Sequence, residues 1–144
     1  MKPLVLLLAL LPFLAAQTAP TRPRVIVLTD ITNEPDDEES MVRFLVYANE
    51  YDVEGLIATT SVWLRDKVAP HKIQERVDAY EQVQSNLARH APGYPTAAQL
   101  RQVIRSGRPE FGMRGVGTGK QSEGSQLIIA AATLWVARRE ARGR

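Results

Sequence analysis

Residues 25–37 read VIVLTDITNEPDD and combine a strand, a turn and the start of a helix. Residues 25–29 form a continuous, mostly β-branched run, which is typical of a strand buried on both faces. This run ends at Asp30. Pro35 suits the first position of a helix, because its missing N–H would have no partner there. Asp36 and the acids after it fall in the first helical turn, where the helix dipole favours negative charge.

The residues that follow complete a strand–helix–strand unit. Apolar residues recur at helical spacing along the predicted helix, at Met41, Val42, Leu45 and Ala48. Residues 53–60 then form a second strand, which runs parallel to the first through a right-handed crossover. The sequence therefore predicts the α/β class, with a Rossmann-like open parallel sheet and flanking helices.

Two helices are predicted after the second strand. The longer one begins at Pro70 and buries one face for about five turns. Its apolar stripe consists of Ile73, Val77, Tyr80, Val83 and Leu87. The shorter one begins after Thr96, because Gln99 completes a capping-box pattern, and it ends at residues 106–107.

The last part of the chain predicts one more helix and a third strand. A glycine-rich loop at residues 108–121 leads to Ser122, which suits the cap of a helix at residues 123–132. Residues 134–137 read LWVA and look like the opening of a third strand.

The composition fits one globular domain of ordinary charge content. The 144 residues are 44% hydrophobic and 24% charged, with a formal net charge of +2 and no cysteine. The missing cysteine excludes disulfides, a thiol nucleophile and a zinc–thiolate site. The bases of the second half are scattered over helix, loop and tail without interleaved aromatic residues, so no nucleic-acid partner is expected.

The N-terminus resembles an export signal. Residues 1–19 contain a positive start, an apolar run and small residues suited to cleavage, which together predict a signal peptide and a secreted or periplasmic protein. The alternative is a buried N-terminal helix. The apolar run is too short to span a bilayer, so no membrane contact is expected after cleavage. Residues 20–144 form the predicted domain.

Carboxylates cluster where the first strand ends. Ligands of open α/β sheets bind beyond the carboxyl ends of the strands, and Asp30 lies at such an end with Asp36 and Asp37 across the turn. Two carboxylates about 5 Å apart repel by about 3 kcal/mol at an effective dielectric constant of about 20. A hard cation such as Ca²⁺ would offset that cost, and raised pKa values are the other solution. Alternatively, the acids of the helix only complement its dipole.

These residues resemble the opening of the calcium-dependent nucleoside hydrolases. In that family the first strand ends in an aspartate followed by an Asp-Asp pair, as at Asp30 and at residues 36–37, and the second strand is similar to GLIATT at residues 55–60. Secreted bacterial nucleoside-hydrolase-like proteins, some described as cellulose-binding, are more similar still. The similar stretches are TDITNEPDD at 29–37, TTSVWLRD at 59–66 and GTGKQSEGS at 117–125. The resemblance covers residues 24–137.

The resemblance implies roles for individual residues. Asp30 and Asp37 would hold calcium, while Asp36 would contact sugar hydroxyls and Asn33 would bind substrate beside it. The implied reaction is hydrolysis of an N-glycosidic bond, in which a calcium-bound water attacks the anomeric carbon and Asp30 takes its proton.

Three more residues are candidates for substrate binding, and the chain departs from the hydrolase pattern near one of them. The asparagine expected after the second strand is absent, and Leu64 falls near its place beside Trp63. Trp63 would stack on a sugar face, or belong to the core. Ser122 and Glu123 would lie at the mouth of the pocket by resemblance, although their segment is also consistent with a flexible connector.

The end of the chain departs further from the family pattern. In the relatives the segment matching residues 134–137 continues into a longer domain with further metal and substrate ligands, whereas here RREARGR follows at 138–144. We therefore expect a truncated or frame-shifted product that carries the N-terminal part of the fold, with too few oxygens for a tight calcium site.

The sequence thus predicts a nucleoside-hydrolase-like protein whose hydrolysis is impaired by truncation. The alternatives are a non-catalytic cellulose- or carbohydrate-binding protein and an inert fragment. The expected partner is a nucleoside, another glycoside or a polysaccharide.

Overall fold

The structure is a computed structural model that describes residues 22–32 and 34–142. The predicted signal peptide at residues 1–19 and the candidate ligand Asn33 lie outside the described residues. Within the described ranges, no helix is both long and apolar enough to cross a membrane.

The described chain folds into a parallel sheet with helices on both faces. The strands are β1 (Arg24–Thr29), β2 (Asp52–Ala58) and β3 (Ile104–Ser106), and the helices are α1 (Pro35–Val46), α2 (Pro70–His90), α3 (Ala97–Gln102) and α4 (Glu123–Arg142). Single turns of 3₁₀ helix occur at Ala48–Glu50 and Gly112–Gly115. The sheet has the order β1-β2-β3 with both pairs parallel, which confirms the predicted α/β class.

The central strand β2 is buried from Gly55 to Ala58 because both of its faces are covered. Side chains alternate between the faces of a strand. Leu56 and Ala58 therefore share one face, where they join the apolar core built from α1, α2 and α3. Ile57 lies on the other face and meets α4.

Two glycines allow α4 to approach the sheet closely. A Cβ atom added to Gly124, in the first turn of α4, would lie 2.6 Å from Cγ2 of Ile57. One added to Gly55 of β2 would lie 2.9 Å from Cδ2 of Leu127. Both separations are shorter than van der Waals contact, so a side chain at either position would have to displace its neighbour.

An ion pair fastens α4 to the start of the sheet. The pair involves Arg24, which comes just before the point where the register of β1 against β2 shifts, between Val25 and Ile26. The Arg24 guanidinium donates to the Glu54 carboxylate, with 2.5 Å between Nη2 and Oε2, and also to the Ala131 carbonyl of α4 at 3.2 Å. The hydrogen bond to Glu54 raises the pKa of Arg24. The pair therefore joins β1, β2 and α4.

The predicted starts of three helices are confirmed. Pro35 and Pro70 are the first residues of α1 and α2. Thr96 and Gln99 form the capping box of α3: the Gln99 N–H donates to Thr96 Oγ1 at 3.2 Å, and the Thr96 N–H donates to Gln99 Oε1 at 2.8 Å. Val42 and Val83 depart from the predicted apolar stripes, because they are 47% and 46% exposed, whereas Leu87 beyond Val83 packs against the core.

The prediction that β1 is buried on both faces was wrong. β1 is an edge strand of the sheet, and Leu28 near its end is 56% exposed. Ile26, on the same face as Leu28, lies against Gly55 of β2. A β-branched run is favourable in any half-buried strand, so the residue pattern alone did not reveal how many faces are covered.

The prediction of the third strand was also wrong. Residues 134–137 belong to α4, because no glycine or proline interrupts the chain from Gln126 to Arg142 and the helix continues. The third strand is Ile104–Ser106, which was predicted to be the end of a helix. The short helix α3 ends at Gln102, and the next residues pair with β2: the Leu56 N–H donates to the Val103 carbonyl at 3.0 Å.

The substitution Gly124→Ala tests the close approach of α4. Helix propensity alone predicts that Ala in place of Gly raises the unfolding free energy by up to about 1 kcal/mol. We expect instead a loss of about 1–3 kcal/mol in unfolding free energy, because the new methyl group would overlap Ile57. Urea unfolding measures the change.

The control is a double-mutant cycle with Ile57→Ala. Removing the Ile57 side chain should shrink the cost of Gly124→Ala, since the overlapping atom is gone. An equal cost in both backgrounds would contradict the proposed contact.

Candidate functional site

A tight turn follows β1 and carries the first candidate residue, Asp30. Ile31, the next residue, is completely buried and anchors the turn in the core. Thr32 has a φ of 96°, in the left-handed region that β-branched residues avoid. Such a conformation costs on the order of 1–3 kcal/mol and persists only where its surroundings enforce it. Ile31 therefore anchors the start of the turn, and Thr32 beside it adopts a strained backbone conformation.

The structure brings Asp30 and Asp37 together. Both line a cleft of about 230 Å³ at the carboxyl end of β1, together with Ser40 and the apolar residues Met41 and Phe44. Asp30 comes from the turn, and Asp37 from the first turn of α1. The predicted pairing of these carboxylates across the turn is thus present in the fold.

The carboxylates influence one another. Partial burial raises the pKa of Asp37, and the negative charges of Asp30 and Asp36 raise it further. A backbone hydrogen bond from Glu34 acts in the opposite direction. Asp36 itself is exposed and does not line this cleft. The cluster consequently has two carboxylates in the cleft and a third nearby.

The described residues would supply only part of a calcium shell. Calcium takes six to eight oxygen ligands, whereas the carboxylates of Asp30 and Asp37 offer at most about four. Among residues 22–32 and 34–142, no group of three or more His, Cys, Asp or Glu side chains could hold a metal ion. A calcium ion at this edge would need further oxygens from water or from a ligand.

Trp63 lies on a turn beyond the end of β2 and is 74% exposed. The Ser61 hydroxyl accepts hydrogen bonds from the N–H groups of Trp63 and Leu64, both at 3.1 Å. Leu64 is buried and anchors the turn. Of the two interpretations that the sequence left open, the core position is therefore wrong, because the indole faces solvent.

The glycine-rich loop packs against the turn of Trp63. The Phe111 N–H donates to the Arg65 carbonyl at 2.9 Å, and the Arg65 guanidinium lies over the Phe111 ring at 5.5 Å. Glu110 accepts hydrogen bonds from Arg108 at 2.8 Å and from Lys120 at 2.9 Å, which lower its pKa to about 2. The contact of Phe111 with Arg65 ties the loop to the turn of Trp63, while the ion pairs of Glu110 join residues of the loop to one another.

Of the two candidate residues at the start of α4, one lines a second cleft. Ser122 caps α4 as predicted: its hydroxyl accepts from the Ser125 N–H at 3.2 Å. Ser122 also lines a cleft of about 350 Å³, which shares Leu28 with the cleft of Asp30. Glu123 instead accepts a hydrogen bond from the Ser106 N–H at 3.4 Å. Neither Glu123 nor Trp63 lines these two clefts.

Several polar residues at the clefts were not predicted as site residues. Ser40 lines the cleft of the carboxylates, while Thr59, Thr60 and Ser125 line the second cleft. Ser40 could have been predicted from the sequence, because it follows Asp37 by three residues and so lies on the same face of the helix. Thr59 and Thr60 directly follow β2, at the edge where a ligand site was expected.

Known proteins similar to this chain agree with the fold and with the resemblance. The family described as "Cellulose-binding Sde182, nucleoside hydrolase-like domain" matches residues 24–139. A solved structure of a nucleoside hydrolase-related hypothetical protein from Saccharophagus degradans, described as associated with carbohydrate metabolism, is 48% identical, with a TM-score of 0.74. The match covers 76% of this chain and 27% of that one. No curated protein matches the chain. Because the family match covers most of its length, the chain belongs to the cellulose-binding Sde182, nucleoside hydrolase-like domains.

Proposed function

We propose that this chain binds carbohydrate with the turns and loops at the carboxyl edge of its sheet. The observation that carries the proposal is Trp63, which is 74% exposed on a hydrogen-bonded turn. The family description "cellulose-binding" and the relative associated with carbohydrate metabolism support a glycan ligand.

An exposed Trp suits a sugar face for two reasons. The binding free energy becomes more favourable when a ligand covers its large apolar ring, and its indole N–H provides a polar contact at the edge of the ring. The ring also has few rotatable bonds, so little conformational entropy is lost on binding. The turn fixed by Ser61 and Leu64 limits the backbone freedom that binding would otherwise remove.

The carboxylates add hydrogen-bond acceptors at the same edge. Asp30 follows β1 and Trp63 follows β2, and the carboxyl ends of parallel strands meet at one edge of the sheet. Ionised carboxylates only accept hydrogen bonds, so Asp30, Asp36 and Asp37 suit the hydroxyl groups of a sugar. Ser122 in the second cleft is a further candidate, as is Asn33, which lies outside the described residues.

Calcium-dependent hydrolysis of an N-glycosidic bond is the second candidate function. The mutual repulsion of the carboxylates around Asp37 favours it, because a cation would offset that cost. When bound there, calcium would polarise a water molecule and lower its pKa. Asp30 and Asp37 would hold the cation, Asp30 would accept the proton, and Asp36 would hold sugar hydroxyls. We further propose that the protein is secreted or periplasmic, which rests on residues 1–19.

The substitution Trp63→Ala should weaken binding to cellulose by about tenfold or more, as expected for loss of a well-covered aromatic contact. Retention on microcrystalline cellulose and calorimetry with cello-oligosaccharides measure the change. Trp135→Ala is the matched control, since Trp135 is also exposed but lies in α4. Equal losses in the two variants, or no loss in Trp63→Ala, would refute the stacking role.

Calcium titration by calorimetry separates the two candidate functions. If calcium binds, Asp30→Asn and Asp37→Asn should abolish the signal, because each removes a charged ligand. Glu39→Gln should retain it, since Glu39 lies in the same helical turn but outside the cleft. If calcium does not bind, or if no reducing sugar is released from inosine and uridine, only the carbohydrate-binding function remains.

The raised pKa of Asp37 predicts how stability depends on pH without calcium. Its contribution to stability is full below the ordinary value of 3.8 and is lost as the pH rises through the folded-state pKa. Asp37→Asn should therefore raise the Tm at pH 7 in the presence of a chelator, and the difference should vanish near pH 3. Thermal unfolding across this range tests the sign, with Glu39→Gln as the control. A lower Tm for Asp37→Asn at pH 7 would contradict it.

A further inference from the structure

A further cavity lies at the opposite edge of the sheet, where the strands begin. Its volume is about 420 Å³, within the range of small-molecule sites. Its walls come from the start of β2, the loop before α3, α3 itself and Arg22, which precedes β1. None of the candidate residues at the carboxyl edge contributes to it.

The loop that forms one wall is held from several directions. Gly93 has a φ of 95°, and its carbonyl accepts a hydrogen bond from Arg22 Nη1 at 2.8 Å. The Tyr94 hydroxyl donates to the Val46 carbonyl at 2.9 Å. The buried Tyr80 donates its hydroxyl proton to the Pro95 carbonyl at 2.7 Å. These bonds come from the chain before β1, from α1 and from α2, so the cavity is formed before any ligand arrives.

The base of the cavity is equally fixed. Gln99 accepts hydrogen bonds from the Thr96 N–H and hydroxyl through its Oε1 atom, at 2.8 and 3.1 Å. Its amide nitrogen therefore keeps a defined position with two hydrogens to donate. Tyr51, which stacks on Phe44 with 5.9 Å between ring centroids, lines another wall.

The lining combines aromatic rings with donors and acceptors in nearly balanced charge. Arg22 and Asp52 contribute one positive and one negative group, and Gln99 and Gln102 contribute neutral amides. Asp52 and Gln102 are exposed, and within residues 22–32 and 34–142 their side chains make no hydrogen bond, so their polar atoms are available to a ligand; the negative charge of Asp52 also acts on Arg24. A ligand with several hydroxyl groups and no net charge matches this set, because it can both donate and accept at short spacing.

We propose that this cavity is a binding site for a neutral sugar, with Asp52 and Gln102 as hydrogen-bond partners and Tyr51 and Tyr94 as apolar walls. The site is separate from the carboxyl edge, and it does not depend on the function proposed there. Two sites at opposite edges would let one domain contact a glycan at two points, which raises apparent affinity where both are reached.

The experiment titrates the full chain carrying Trp63→Ala with glucose and cellobiose, and follows amide chemical shifts by NMR. The Trp63→Ala background removes the proposed stacking residue at the carboxyl edge. Binding seen in this variant therefore tests the cavity independently of the function proposed for the carboxyl edge. We expect shifts centred on residues 51–53 and 93–102. Asp52→Ala and Gln102→Ala should each weaken binding by about fivefold, the effect of losing one hydrogen bond.

Gln82→Ala, an exposed change on α2, is the matched control and should leave the affinity unaltered. Tighter binding of glucuronate or glucosamine than of glucose would overturn the neutral-ligand assignment. Shifts confined to other residues, unchanged affinity in both variants, or no binding at about 50 mM sugar, far above the weak millimolar range, would overturn the site.

Discussion

β2 pairs with β1 on one side and with β3 on the other, and helices cover both of its faces. Leu56 and Ala58 contact the layer of α1, α2 and α3, while Ile57 contacts α4 across Gly124. No other strand of the described chain is enclosed in this way. The two helical layers are therefore held on opposite faces of this one strand.

The carboxyl edge shows how that packing creates a site. Ile31 and Leu64 are buried, and they fix the turns that carry Asp30 and Trp63. These buried residues thus hold in place two surface features that are energetically unfavourable without a ligand, namely a cluster of like charges and an exposed indole. Neither feature contributes to the packing seen here, and both become favourable when a ligand with hydroxyl groups and an apolar face covers them.

The candidate site was partly predictable. Asp30, Asp36 and Asp37 lie within a few residues of one another, so a strand end and a helix start were enough to place them together. Trp63 was ambiguous, because an isolated Trp is equally compatible with a core position and its exposure depends on Ser61 and Leu64. The role of Glu123 depends on Ser106, which lies in a strand that the sequence pattern did not identify.

By itself, the sequence determined the elements whose signals are local. Pro35 and Pro70 begin helices, Thr96 and Gln99 form a capping box, and the run before Asp30 forms a strand, because each depends on neighbouring residues alone. Only the tertiary structure decided that residues 104–106 extend the sheet, whereas residues 134–137 are helical because α4 continues through them. Strand formation requires a partner that is distant in sequence, here β2, whereas a helix without glycine or proline continues on its own hydrogen bonds.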